Sequence, residues 1–103
     1  MINEKLKSGV YILFDEQRGL YKLGCSKDVK KRIKQVQASC NFSGIKSELQ
    51  VFNIIYAKNY KTLEKHLHMY ANKYKYQGEW YKCSDEENIN NILMKIDLSY
   101  YNK

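Results

Sequence analysis

A carboxylate and an imidazole stand four residues apart in the segment TLEKHLH, at Glu64 and His68. Apolar residues recur around them at helical spacing, and residues i and i+4 share one face of a helix, so these two side chains can converge on one point. A glutamate oxygen is a hard donor of the kind that Mg²⁺ or Mn²⁺ prefers. The competing interpretation is an exposed helix carboxylate that only pairs with His68. His66 is predicted to face elsewhere.

The positive charge of the chain is densest between Lys27 and Lys34. Lys and Arg total 18 against 11 Asp and Glu, and this net charge of +7 favours a polyanion as partner, although lysines that only solvate a surface give the same balance. Arg32 can donate to two phosphate oxygens at once, whereas a lysine offers a single ammonium. Its neighbours are predicted either to bind a nucleic-acid backbone or to form a solvated helix face: Lys30, Lys31 and Lys34.

The three cysteines, Cys25, Cys40 and Cys83, have no C-x-x-C spacing and are odd in number. This pattern indicates reduced thiols rather than a disulfide framework or a zinc ribbon.

The 103 residues suffice for one domain, taken as residues 1–103, with 44% hydrophobic residues to build its core. No apolar run is long enough for a membrane span or a signal peptide, so we expect a soluble intracellular protein, cytoplasmic or nuclear.

The elements that must position these residues follow from apolar spacing and from five glycines. Two runs rich in β-branched and aromatic residues, 9–14 and 20–25, predict a β-hairpin. A helix follows to about Ser39, then a polar turn at 41–46 and a dense apolar run, 49–56, read as the central strand. A second helix opens near Asn59 or Thr62 and runs toward Gly78, with Tyr74 on its apolar face.

A short strand at 79–83 and a last helix, begun by the capping pattern of Ser84 and Glu87, complete the order ββαβα, short strand, α. The predicted fold class is α/β (α+β), a small domain with a central, mainly antiparallel, three-stranded sheet flanked by helices.

Four motifs occur in this order: GVY (residues 9–11), YKLG (residues 21–24), the helix TLEKHLH and the segment GEWY (residues 78–81). Together with Arg32 they resemble the GIY-YIG nuclease superfamily, and in particular small phage and viral members with an L-E-x-x-L-H helix and a G-E-W-[FY] motif. Trp80 and Tyr81 could stack on bases, but aromatics after a glycine on a short strand are more often core.

The resemblance implies roles for individual residues. Glu64 would hold a divalent metal, Mg²⁺ or Mn²⁺, and Arg32 would stabilise the transition state. Tyr11 or Tyr21 would help to activate water, and which of the two does so is open. His68 would carry a proton or orient the scissile phosphate. Lys22 is as suited to contacting the DNA backbone as to lowering the pKa of a tyrosine, since adjacent strand residues point to opposite faces.

The function implied is a metal-dependent endonuclease that hydrolyses phosphodiester bonds in DNA with water as nucleophile, by nicking or structure-selective cleavage, in a phage or virus. Two alternatives stay open: a catalytically silent nucleic-acid-binding module, and a nuclease that acts on RNA. Specificity would come from the module itself, from a homodimer or from a partner protein.

Overall fold

The computed structural model describes residues 6–40, 49–83 and 86–102. The strands are β1 (Gly9–Asp15), β2 (Leu20–Ser26), β3 (Leu49–Tyr56), β4 (Lys75–Gln77) and β5 (Trp80–Tyr81). The helices are α1 (Val29–Cys40), α2 (Tyr60–Ala71) and α3 (Glu86–Leu93), with 3-10 helices at Asn72–Tyr74 and Leu98–Asn102. The strands form one antiparallel sheet in the order β3-β1-β2-β5-β4.

The sheet is covered on both faces because side chains alternate along β1. Val10 and Ile12 pack into the larger core cluster, with residues of α2 and α3. Tyr11 and Leu13 point the other way and pack against α1. The resulting small α+β domain has two thin cores, one on each side of a shared hairpin.

The β1–β2 hairpin is closed by a buried carboxylate. Asp15 is 0% exposed, and its Oδ1 accepts hydrogen bonds from the backbone N–H groups of Gln17 and Arg18 at 3.1 and 3.2 Å. Its Oδ2 accepts from Nε of Arg18 at 2.7 Å. Gly19 completes the turn at φ +66°, a conformation that a side chain disfavours.

The prediction of a three-stranded sheet with β3 at its centre was wrong. β1 is the strand that pairs on both sides, with β2 and with β3, so β3 lies at an edge of the five-stranded sheet. The partial exposure of β3, with Val51 48% exposed, fits this edge position. β3 packs on both faces, with Phe52 and Ile55 against the larger core and Leu49 and Ile54 against the smaller one, so its apolar content does not report how many strands pair with it.

Two further strands complete the sheet: β5 confirms the short strand predicted at 79–83, whereas β4 arises where the second helix was predicted to continue. α2 ends at Ala71, and after one 3-10 turn the chain extends and folds back at Gly78, whose φ is +57°. The N–H of Lys82 donates to the carbonyl of Tyr74 at 2.8 Å, so this second hairpin satisfies backbone groups that a longer helix would have paired internally. Gly78 therefore serves a hairpin turn and not a helix end.

The polar turn predicted at 41–46 and the capping residue Ser84 lie outside the described residues. The first helix, predicted to end near Ser39, is confirmed with its end at Cys40. Within the described ranges no helix has the length and apolar character needed to cross a bilayer.

Candidate active site

One end of β2 is the place where side chains from both faces of the sheet meet. β5 pairs with β2 only at Tyr21 and Lys22, and the carbonyl of Glu79 then accepts the N–H of Leu23 at 3.0 Å. In the described residues, β2 beyond this point pairs with β1 alone. The sheet is therefore open on one side at Gly24 and Cys25.

Two carboxylates and an imidazole converge at this opening. One donor atom each of Glu64, His68 and Glu79 lies within 4.8 Å of the others. Nε2 of His68 is 3.6 Å from Oε2 of Glu64, one helical turn away, and these side chains are 26% and 21% exposed. The i, i+4 spacing that the sequence shows is thus realised as a shared face of α2. A set of two carboxylate oxygens and one imidazole nitrogen fits a divalent metal ion.

Two neighbouring groups lie against these donors. The hydroxyl of Tyr81 is hydrogen-bonded to Nδ1 of His68, which leaves Nε2 facing Glu64. Burial, together with the charges of Glu79 and Glu64, raises the pKa of Tyr81, so its hydroxyl stays protonated at neutral pH. Cys25 lies close to Glu64, and burial first, then the charge of this carboxylate, raise the pKa of the thiol to about 12.

Tyr11 and Arg32 approach the same opening from the opposite face. Arg32, exposed on α1, lies close to Tyr11, which is 2% exposed. Burial raises the pKa of Tyr11, and the Arg32 guanidinium opposes this rise. Tyr11 lies opposite Gly24 in the hairpin, and a Cβ at Gly24 would collide with the phenol ring. The glycine of YKLG is thus required by the close approach of Tyr11.

The structure does not bring Tyr21 or His66 into this cluster. Tyr21 faces α2 within the larger core, where its ring lies 4.8 Å from that of Phe14 and 5.3 Å from that of Phe52, centre to centre. It is a strand neighbour of Tyr11 but on the other face of the sheet. His66 turns away along α2, with Nδ1 at 2.6 Å from the hydroxyl of Tyr101.

Lys22 lies beside the cluster on the α1 face of the sheet, away from Tyr21. Its ammonium is 3.0 Å from Oε1 of Glu79 and 5.3 Å from the centre of the Trp80 ring, which Arg18 also approaches at 4.9 Å. Trp80 packs partly against the smaller core, as predicted for a core aromatic. The other predicted nucleic-acid-binding lysines are exposed along α1: Lys30, Lys31 and Lys34.

Sequence reasoning missed Glu79, Cys25 and the hydroxyl of Tyr81 as parts of this site. Glu79 and Tyr81 belong to the GEWY segment, so the motif itself was the available signal. Their roles depend on the β4–β5 hairpin, which brings them beside α2 and which was not predicted. Cys25 follows YKLG on the same strand. Because it lies two residues after Leu23, its side chain points to the same face of the sheet, and this alternation was the available signal for its position.

Comparison with known proteins identifies the family. The T5orf172 domain model matches residues 8–97. The chain is 33% identical over 88 residues to a viral protein, "Uncharacterized protein 460R" of Invertebrate iridescent virus 6. This alignment covers 84% of the chain but only 36% of the viral protein, so the chain spans about a third of that relative's length. No solved structure matches the chain.

The match corrects the resemblance to the GIY-YIG nuclease superfamily, which was wrong. The model that matches is that of the T5orf172 domain, a distinct family, and it covers all four motifs on which the resemblance was based. Short motifs such as GVY are common on strands, and neither their order nor their spacing identifies a family. The chain belongs to the T5orf172 domain family, whose members are nuclease-like, DNA-binding domains of phage and viral proteins.

Proposed function

We propose that this chain is a metal-dependent endonuclease that hydrolyses phosphodiester bonds in DNA, with water as the nucleophile. The observation that carries the proposal is the meeting of two different groups at one opening of the sheet. Glu64, His68 and Glu79 supply metal donors from one side, and Tyr11 with Arg32 supplies a phenol and a guanidinium from the other. Phosphodiester hydrolysis needs both a metal site and a cation for the charge that builds on phosphorus.

Glu64 would hold Mg²⁺ or Mn²⁺, since it is partly exposed and lies between the other two donors of the cluster and the Cys25 thiol. A divalent ion bound there would lower the pKa of a coordinated water and offset charge on a phosphate oxygen. Cys25 beside Glu64 does not compete as a nucleophile, because a thiol with a pKa of about 12 stays protonated at neutral pH.

Arg32 would donate to the non-bridging oxygens of the scissile phosphate. Arg32 is exposed and lies close to Tyr11, and its planar guanidinium fits two oxygens at once. Tyr11, a neutral phenol at neutral pH, would orient the attacking water and relay its proton rather than remove it as a phenolate. A bond forms from the water oxygen to phosphorus, one ester bond breaks, and the released oxygen takes a proton.

Binding of the DNA backbone would use the net charge of +7, through Lys22 beside Glu79 and through the exposed lysines of the helix that carries Arg32, which are Lys30, Lys31 and Lys34. The described residues hold one such cluster, so we expect single-strand nicks from one copy. A double-strand break would require two copies or two successive nicks.

The test is cleavage of supercoiled plasmid with Mg²⁺ or Mn²⁺ by the wild type, Glu64→Gln and Arg32→Ala. The matched controls are Glu16→Gln, an exposed carboxylate at the far hairpin turn, and Lys58→Ala, an exposed cation that lies outside α1 and is not among the proposed DNA-binding lysines. We expect nicking by the wild type and both controls, and a loss of about 100-fold or more in each site variant. DNA binding without cleavage under every condition would favour a silent binding module, and cleavage of RNA alone would redirect the substrate.

A further inference from the structure

Glu79 lies within reach of two groups that attract its carboxylate. One of its carboxylate oxygens is 3.0 Å from the ammonium of Lys22, while the same carboxylate offers a donor within 4.8 Å of Glu64 and His68. We infer that Glu64, His68 and Glu79 form a three-donor site for a first-row transition ion, and that Lys22 competes with the ion for Glu79. This inference rests on the proposed function only in taking Glu64 as a metal ligand.

His68 is oriented as a metal ligand would be. The hydroxyl of Tyr81 holds Nδ1, so the ring presents Nε2 to Glu64. In metal-binding histidines the remote nitrogen donates its N–H to an acceptor, and the hydroxyl oxygen of Tyr81 can accept from Nδ1–H in this way, which leaves Nε2 as the ligand atom. Because an imidazole nitrogen suits first-row transition ions better than it suits Mg²⁺, the site should prefer Mn²⁺ to Mg²⁺.

The ammonium of Lys22 has few other partners that could replace Glu79. Its side chain is 16% exposed, against 49% for Glu79, and it lies beside the ring of Trp80. A largely covered ammonium that loses its carboxylate is left without compensation, which is costly. An ion that binds Glu79 must therefore break the ion pair with Lys22, and this cost lowers the affinity of the site for the ion.

A phosphate group removes this cost, because it can replace Glu79 as the anion beside Lys22. Metal and nucleic acid would then bind cooperatively, and the coupling is reciprocal: each raises the affinity for the other by the same factor. Lys22 thus acts as a positioning residue that favours loading of the ion when a DNA strand is present.

The experiment is a titration of the full chain with Mn²⁺, followed by electron paramagnetic resonance, with no nucleic acid present. The variants are Glu79→Gln, Lys22→Met, both together, and Lys61→Met as the matched control. Lys61 is exposed on α2 and acts electrostatically on Cys25, so its removal deletes a charge near the site without releasing Glu79. Circular dichroism melts establish that each variant is folded.

We expect Glu79→Gln to raise the Kd for Mn²⁺ about tenfold or more. Lys22→Met should lower the Kd about fivefold, whereas Lys61→Met should change it by less than about twofold. In the Glu79→Gln background, Lys22→Met should have no more effect than Lys61→Met. With His68→Gln the preference for Mn²⁺ over Mg²⁺ should disappear.

An unchanged Kd in Glu79→Gln overturns the three-donor site, and equal effects of Lys22→Met and Lys61→Met overturn the competition. Either result leaves the proposed nuclease standing if the plasmid is still nicked in a Glu64-dependent way. Conversely, Mn²⁺ binding that depends on Glu79 in a chain that cuts no nucleic acid supports the metal site and rejects the nuclease.

Discussion

The side chains of Tyr11 and Tyr21 lie on opposite faces of the sheet, although their strands are hydrogen-bonded neighbours. Tyr11 pairs across the hairpin with Gly24 and faces α1, whereas Tyr21 pairs with Phe14 and faces α2. Arg32 of α1 lies close to Tyr11 and opposes the rise of its pKa. The hairpin therefore delivers one tyrosine to the proposed site and one to the core.

Replacement of the two tyrosines by phenylalanine should separate these roles. We expect Tyr11→Phe to lower plasmid nicking about 100-fold, because it removes the hydroxyl between Arg32 and the site. Tyr21→Phe keeps the ring that packs on Phe14 and Phe52, and should nick at close to the wild-type rate. Rates measured under single-turnover conditions, with melting curves for both variants, make the comparison. Equal losses in the two variants would contradict the assignment of Tyr11.

Gly24→Ala should impair activity through Tyr11 without touching any polar group. A Cβ at residue 24 collides with the ring of Tyr11, so the ring must move, at a cost of about 1–3 kcal/mol in the free energy of unfolding. The matched control is Gly19→Ala, which is strained by its φ of +66° but has open space around the position of the new Cβ. Both variants should be destabilised in urea, and only Gly24→Ala should lose nicking beyond its unfolded fraction. Loss of activity in Gly19→Ala alone would refute this explanation.

Much of the fold could be predicted because its first half follows local patterns. The β1–β2 hairpin, α1 and the strand at Leu49–Tyr56 each have an uninterrupted periodicity and clear turn residues. The β4–β5 hairpin does not: β5 confirms the short strand predicted at 79–83, but β4 has three exposed residues, too few for a pattern to show, and lay within the predicted helix. β3 was placed at the centre because an apolar run does not say how many neighbours a strand has.

The candidate site was also predictable only where its residues lie close together in the sequence. Glu64 and His68 could be paired from their spacing because both lie on one helix. Glu79 could not be joined to them, since it depends on a turn at Gly78 and on the pairing of β5 with β2. Contacts between distant segments require the topology, and the topology was incomplete without the second hairpin.

Asp15 should contribute more to stability than any exposed carboxylate of the hairpin. It is 0% exposed and caps the turn through two backbone N–H groups and Arg18. We expect Asp15→Ala to lower the free energy of unfolding by about 2 kcal/mol, because the turn loses its acceptors. Glu16→Ala, next to it and exposed, should stay within about 0.5 kcal/mol of the wild type. Urea titrations followed by circular dichroism measure both. A shift no larger than that of Glu16→Ala would show that the turn does not need the buried carboxylate.

The reactivity of Cys25 should report on the charge of Glu64. The pKa of about 12 comes from burial first and then from the carboxylate, which disfavours the thiolate. In Glu64→Gln the carboxylate charge is gone, so the pKa falls and more thiolate is present at any pH below it. Alkylation by iodoacetamide in EDTA at pH 8, resolved by peptide mass spectrometry, should therefore be slow in the wild type and faster in Glu64→Gln. An unchanged rate would mean that burial alone controls this thiol.

The lysines of α1 should control the salt dependence of DNA binding. Lys30, Lys31 and Lys34 are exposed on the helix that carries Arg32, and each phosphate contact releases counterions from the duplex. If all three contact phosphates, Lys→Gln at the three positions should reduce the slope of log K against log salt by about 2.7. Fluorescence anisotropy with a labelled duplex in EDTA measures the slope without cleavage.

A control variant with Lys58, Lys65 and Lys73 changed to Gln removes the same charge from exposed positions elsewhere, so its slope should fall by less. If the slope of log K against log salt falls equally in the two triple variants, the lysines of α1 form a solvated helix face and the net charge alone attracts DNA.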